Sequence, residues 1–137
     1  MDAFAELFEL IGTLARQRFQ AAENHFAKLG IGHTEARLLS LLKHEGGAAT
    51  QDVLSVRLHI DRSNAGRALK RLEDTGYITR QKQATDKRTN MVRVTPAGEA
   101  MMADIANVRQ QIIAGFFGDM QDRDAKQAAE ILRQAVR

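Results

Sequence analysis

Apolar residues first recur along the chain at spacings of three and four: Phe4, Leu7, Phe8, Ile11, Leu14, Ala15, Phe19, Ala22 and Phe26. That period predicts one long amphipathic helix over residues 3–28, stopped by Gly30 and Gly32. A helix of about 25 residues is ~38 Å long, more than a compact domain of this size needs, so part of its apolar face is expected to meet another chain. Thr34 is a plausible N-cap for a second helix that buries Ala36, Leu38, Leu39, Leu41 and Leu42 and stops at Gly46-Gly47. Thr50 then opens a short third helix, Gln51 to Leu58, with Val53, Leu54 and Leu58 inward. Asp61, with Ser63 as the alternative, caps a fourth helix that runs to Thr75 and ends at Gly76. The tight connection His59-Ile60-Asp61 joins the last two as a helix-turn-helix.

The fourth helix is two-sided. At about 100° per residue, Ala65, Ala68, Leu69 and Leu72 share a narrow sector, and Ser63, Asn64, Arg67, Lys70 and Arg71 lie opposite. One face packs, and the other carries cations and short polar groups of the kinds that hydrogen-bond base edges in a major groove. After Gly76 the period falls to two. Tyr77 to Gln83 and Met91 to Val94 read as strands, with Val92 and Val94 on one face and Arg93 on the other. The polar stretch Ala84 to Asn90 makes them a hairpin whose tip carries Asp86, Lys87 and Arg88. Helix resumes at Thr95-Pro96, a cap followed by a proline suited to the first helical position. Met101, Met102, Ile105, Val108, Ile112, Ile113, Phe116 and Phe117 form a wide stripe, and after Gly118-Asp119 a shorter one runs from Ala125 to Val136. The expected fold is mainly α with a small β-hairpin wing: a winged helix-turn-helix over 34–95 in a single domain, flanked by helices at 1–30 and 97–137 that form a dimer interface. A monomeric helical cap is the alternative.

Composition narrows the function. The 137 residues are 44% hydrophobic, enough for a core, and carry a net charge of +3. Residues 57–93 hold ten Lys or Arg against four acids, a local net of +6, so the positive charge sits where the basic helix and hairpin are. Cysteine is absent, which excludes disulfides, thiolate zinc sites and thiol redox sensing. No run approaches the ~18 apolar residues of a membrane span, and Asp2 and Glu6 stand where a signal peptide is basic, so a cytoplasmic protein is expected. His25, His33, His44 and His59 lack ligand spacing, so no metal site is expected. No phosphate loop, nucleophile elbow or paired carboxylates point to an enzyme.

The order of elements resembles the MarR family of bacterial transcription regulators over nearly the whole chain. The most specific stretch is Asp86 to Gly98, which is similar to that family's wing signature D-x-R-x-x-x-V-x-(L/V)-T-x-x-G, preceded by Leu72-Glu73-Asp74-Thr75-Gly76-Tyr77-Ile78 at the entry to the wing. Ala65 and Gly66 depart from the bulkier or hydroxyl residues that members often carry, which leaves the preferred DNA sequence open. The resemblance implies that Ser63, Asn64, Arg67, Lys70 and Arg71 face the major groove, with Arg62 also among the DNA-binding residues. It implies further that Arg88, beside Lys87, enters the minor groove and that Asp86 orients Arg88 by an ion pair. Thr50 and Gln51, where free backbone N–H groups point outward, are candidates for phosphate contacts. It also implies a homodimeric repressor on a pseudo-palindromic operator, released by a small, often aromatic effector. For the effector pocket, Phe19, His33, Arg37 and Met101 are of suitable type. A constitutive or architectural DNA-binding protein that needs no ligand is the alternative.

Overall fold

The computed structural model describes residues 2–85 and 90–137. Asp86, Lys87 and Arg88, the expected hairpin tip, lie outside the described residues. Helix α1 spans Ala3–Phe26, capped by Asp2, whose Oδ1 accepts the Ala5 N–H at 2.8 Å. It ends two residues earlier than its apolar period suggests, because Ala27–Leu29 tighten into a 3₁₀ turn that leaves through Gly30 at φ 70°. Helix α2 follows at His33–His44. Its N-cap is the extended Gly32, and Thr34, the expected cap, already lies inside the first turn. A β-carbon on residue 32 would stand 2.5 Å from the Glu35 carboxylate, so any other residue there would require that side chain to shift.

Strand β1, Ala48–Thr50, was not legible in the period. Three residues cannot show alternation, and its identity comes from pairing with a later strand. Helix α3, Gln51–Leu58, is capped by Thr50, whose Oγ1 accepts the Val53 N–H at 3.2 Å. Leu54 and Ser55 are its buried residues; Val53, expected inward, is exposed. The turn passes through His59 in the left-handed region at φ 54°, with the Ile60 N–H returning to the Ser55 carbonyl at 3.0 Å. Helix α4, Arg62–Asp74, is capped by Asp61, which accepts the Asn64 N–H at 2.8 Å. The hairpin strands are β2, Ile78–Lys82, and β3, Asn90–Val94. The antiparallel sheet has the order β1-β3-β2, with Ala49 opposite Val92 and Ile78 opposite Val94. Helix α5, Pro96–Phe116, starts on Thr95, whose hydroxyl donates to the Gly76 carbonyl at 2.6 Å and accepts the Gly98 N–H at 3.1 Å. Helix α6 is Asp122–Arg133.

The core gathers around α2. Leu38, Leu39 and Leu42 meet Leu54 of α3, Leu69 and Leu72 of α4, Ile78 of β2 and Val92 of β3, all essentially without solvent contact. Helix α1 contributes only Ala22 and Phe26, both near its C-terminal end, and α5 contributes Met102 and Ile105. The opposite end of α1 finds no cover: Phe4 is 86% and Phe8 75% exposed, with Leu7, Leu10, Ile11 and Leu14 beside them. Helix α6 buries no residue, although Ile131 and Leu132 are apolar. The winged helix-turn-helix therefore has a complete core, and the terminal helices do not.

Candidate nucleic-acid interface

Helix α4 is set by its buried side. Ala65, Ala68 and Leu69 are fully covered and Leu72 nearly so, which fixes the rotation of the helix and turns Ser63, Asn64, Arg67 and Lys70 outward. On that outer side, Asp61 accepts from the Asn64 amide at 2.6 Å, Asn64 accepts from Arg67, and Lys70 pairs with Asp74 at 3.0 Å. Arg62 reaches back to Asp52 of α3 at 3.1 Å. The ion pairs of Lys70 and Arg62 are exposed and worth about 0–1 kcal/mol each, so they order the side chains without withholding them from a ligand. Arg71 is held differently: its Nε donates to Glu35 of α2 at 2.7 Å, and that carboxylate is buried.

The base of the wing is joined to the helices through Arg80 of β2. Its side chain is 17% exposed, donates to Glu73 of α4 at 3.1 Å, and lies 3.4 Å from Oε1 of Gln51 at the start of α3. Asn90 of β3 donates to the same Gln51 oxygen at 3.4 Å. The side chain of Gln51 is thus engaged with the wing, and that of Thr50 with its own cap, so the groups left to meet a phosphate at this corner are backbone N–H groups. Sequence reasoning misses Glu35 and Asn90, reads Glu73 as the solvated end of a helix, and leaves Arg80 open between a phosphate contact and a solvated cation. Only Glu35 left a signal: it lies on the stripe of Leu38, Leu39 and Leu42, a position where an apolar residue is expected.

A cleft of about 1050 Å³ opens between α1, α2 and α5. Its floor is apolar, Arg18, Arg37 and Arg109 stand among its lining residues, and no carboxylate lines it among the described residues. His33 and Arg37 are in its wall; Phe19, expected there, does not line it and instead packs edge-on against His33 with ring centroids 5.3 Å apart, and Met102 takes the place expected of Met101. Burial, reinforced by the charges of Arg37 and Arg18 and opposed by Glu23, holds the His33 pKa below the ordinary histidine value. Its Nδ1 is buried without a hydrogen-bond partner. Arg37 links this wall to the helix-turn-helix by donating to the Leu58 carbonyl at 3.1 Å.

The model of the MarR family matches residues 29–89, from the end of α1 through the helix-turn-helix into the hairpin. That match takes in 61 of the 137 residues, the helix-turn-helix unit and the first strand of the hairpin. A MarR transcriptional regulator from Methanosarcina mazei Go1 superimposes with a TM-score of 0.83 at 25% identity, covering 96% of each chain. A mutant MarR from E. coli complexed with operator DNA has the same fold, with a TM-score of 0.85 over the whole of both chains at 20% identity. In sequence, YdgJ of Bacillus subtilis, an uncharacterized HTH-type transcriptional regulator, is 24% identical over 103 residues. That match takes in 75% of this chain and 62% of YdgJ, so the chain spans less than two thirds of that relative's length. Gly98, the last position of the stretch that resembles the wing signature, is buried against the backbone of Tyr77. No helix among the described residues is long and apolar enough to cross a membrane.

Proposed function

We propose that the chain is a homodimeric, sequence-specific DNA-binding transcription regulator that represses by occupying its operator. The observation that carries this reading is the outer face of α4, where Ser63, Asn64, Arg67 and Lys70 stand exposed on a helix locked from behind by the core. In the major groove, Arg67 and Lys70 suit guanine and Asn64 suits adenine. Arg62 and the backbone at Thr50 and Gln51 lie beside them for phosphate, and of the tip residues Arg88, beside Lys87, is assigned to the flanking minor groove with Asp86 orienting it. A second copy would cover the bare apolar faces of α1, α5 and α6, making 1–30 and 97–137 the dimerisation region and 34–95 the reading region. Two α4 helices would then read half-sites about 10 bp apart.

The cleft supports a ligand-controlled repressor over a constitutive one. At about 1050 Å³ in the single chain it is just above the ~300–1,000 Å³ usual for small-molecule sites, and a second copy would cover part of it at Ile11, Leu14, Phe116 and Leu132. Its apolar floor with cationic walls suits an aromatic or otherwise apolar anion. Fluorescence anisotropy with a duplex selected by the protein tests both parts. Affinity is expected to fall steeply between 50 and 200 mM salt, roughly a thousandfold or more if six or more phosphates are neutralised. Arg67→Ala and Asn64→Ala are expected to relax base preference, and Arg88→Ala to weaken binding broadly. Benzoate is the first effector probe, and release of DNA by it is the expected result. Salt-independent affinity, or equal losses on every sequence for all three variants, would contradict the docking.

A further inference from the structure

We infer that Arg71 is a positioning residue: with Glu35 it forms a strut between α2 and α4 that sets the tilt of α4, and it keeps Glu35 when DNA is bound. This rests on the reading of α4 as the helix that enters DNA. The outward cations differ from Arg71 in what they would leave behind. Lys70 and Arg62 have exposed partners that water can take over, whereas Glu35 is the one buried charged residue among the described residues. Moving Arg71 onto a phosphate would strip the carboxylate of its partner at 2.7 Å, and a buried charge without one is strongly unfavourable. The chain makes room for this acid, since Gly32 lacks the β-carbon that would collide with it. Glu35 also stands in the first turn of α2, three residues after the loop that leaves α1. The strut therefore ties α4 to the joint between the long first helix and the reading module. Arg71 is eight residues from Ser63, ~12 Å along the axis, so a small tilt at the strut becomes a displacement at the end that reads bases.

The experiment compares Arg71→Gln and Glu35→Gln with the wild type on a duplex that the wild type selects from a randomised library, measuring affinity across salt concentrations. Each variant is expected to bind roughly 3- to 10-fold more weakly, with the slope of log K against log salt unchanged and no further loss in the double variant. If Arg71 instead held a phosphate, Arg71→Gln would lower that slope by about one and Glu35→Gln would leave affinity unaffected. That pattern, or unaltered affinity in Arg71→Gln, overturns the strut. Glu35→Gln removes the buried charge together with its need for a partner, so it is expected to fold even if Arg71→Gln, which leaves that charge unpaired, does not, and unaffected affinity in Glu35→Gln would then overturn the strut. Failure of the wild type to select or bind any duplex would instead remove the reading on which the strut depends.

Discussion

A β-carbon on Gly98 would lie 2.1 Å from the carbonyl oxygen of Tyr77. The same carbonyl accepts the Thr95 N–H at 3.0 Å, so the first turn of α5 is pressed against the end of the recognition unit where the wing begins. Only glycine permits that approach, and Tyr77 meets it with backbone, which cannot swing aside as a side chain can. Gly98→Ala is expected to destabilise the fold by about 3 kcal/mol through overpacking. Denaturant unfolding at fixed protein concentration checks this, and a change under 1 kcal/mol would show that α5 can back away freely.

Gly66 contrasts with it. A β-carbon there meets only the Gln51 amide, at 3.5 Å, an ordinary van der Waals contact, and the backbone is plain helix. Gly66→Ala is expected to raise stability by about 0.5–1 kcal/mol, from helix propensity alone. Loss of stability in the same unfolding measurement would mean that Gln51 cannot yield.

Arg80 is expected to hold the wing. Its fork joins Glu73 and Gln51 across three elements, so Arg80→Ala should loosen the hairpin while α4 keeps its core contacts. Amide hydrogen exchange is expected to accelerate along Ile78–Lys82 and Asn90–Val94 and to change little in Arg62–Asp74. Lysine should not restore protection, since one ammonium cannot span both partners as the planar guanidinium does. Uniform acceleration across all of these segments would speak against a local role.

His33 gives stability a pH dependence of known sign. Its folded-state pKa lies below the ordinary value near 6.5, first through burial and then through Arg37 and Arg18. The unfolded chain therefore binds the proton more readily, and this contribution is present above the ordinary value and is lost as pH falls through it. Thermal melts from pH 7.5 to pH 5.5 should show a falling midpoint, and His33→Gln should flatten that fall. An unaltered slope in the variant would assign the dependence to other groups.

Much of the fold was legible because the helices bury clear stripes and announce their ends. Asp61, Thr50 and Thr95 cap where the sequence says they should, and Gly76 stops α4. The two hairpin strands were visible in their alternation; β1 was not, since a three-residue strand exists only through its partner. Val53 was misplaced because an eight-residue helix, about two turns, offers too little period to settle which side faces in. The cationic face of α4 could be seen as a face, but not how its members are bonded. Arg67 and Arg71 look alike on a helical wheel, and only the fold brings a buried Glu35 to one of them. Arg80 looked like any strand cation for the same reason.

The central claim is that two copies of α4 read DNA together, and selection from a randomised duplex library by the purified protein tests it most directly. Enrichment of a pseudo-palindrome with half-sites about 10 bp apart, bound by two chains per duplex, is the expected result. Recovery of no preferred sequence, or of a single half-site bound by one chain, would contradict it.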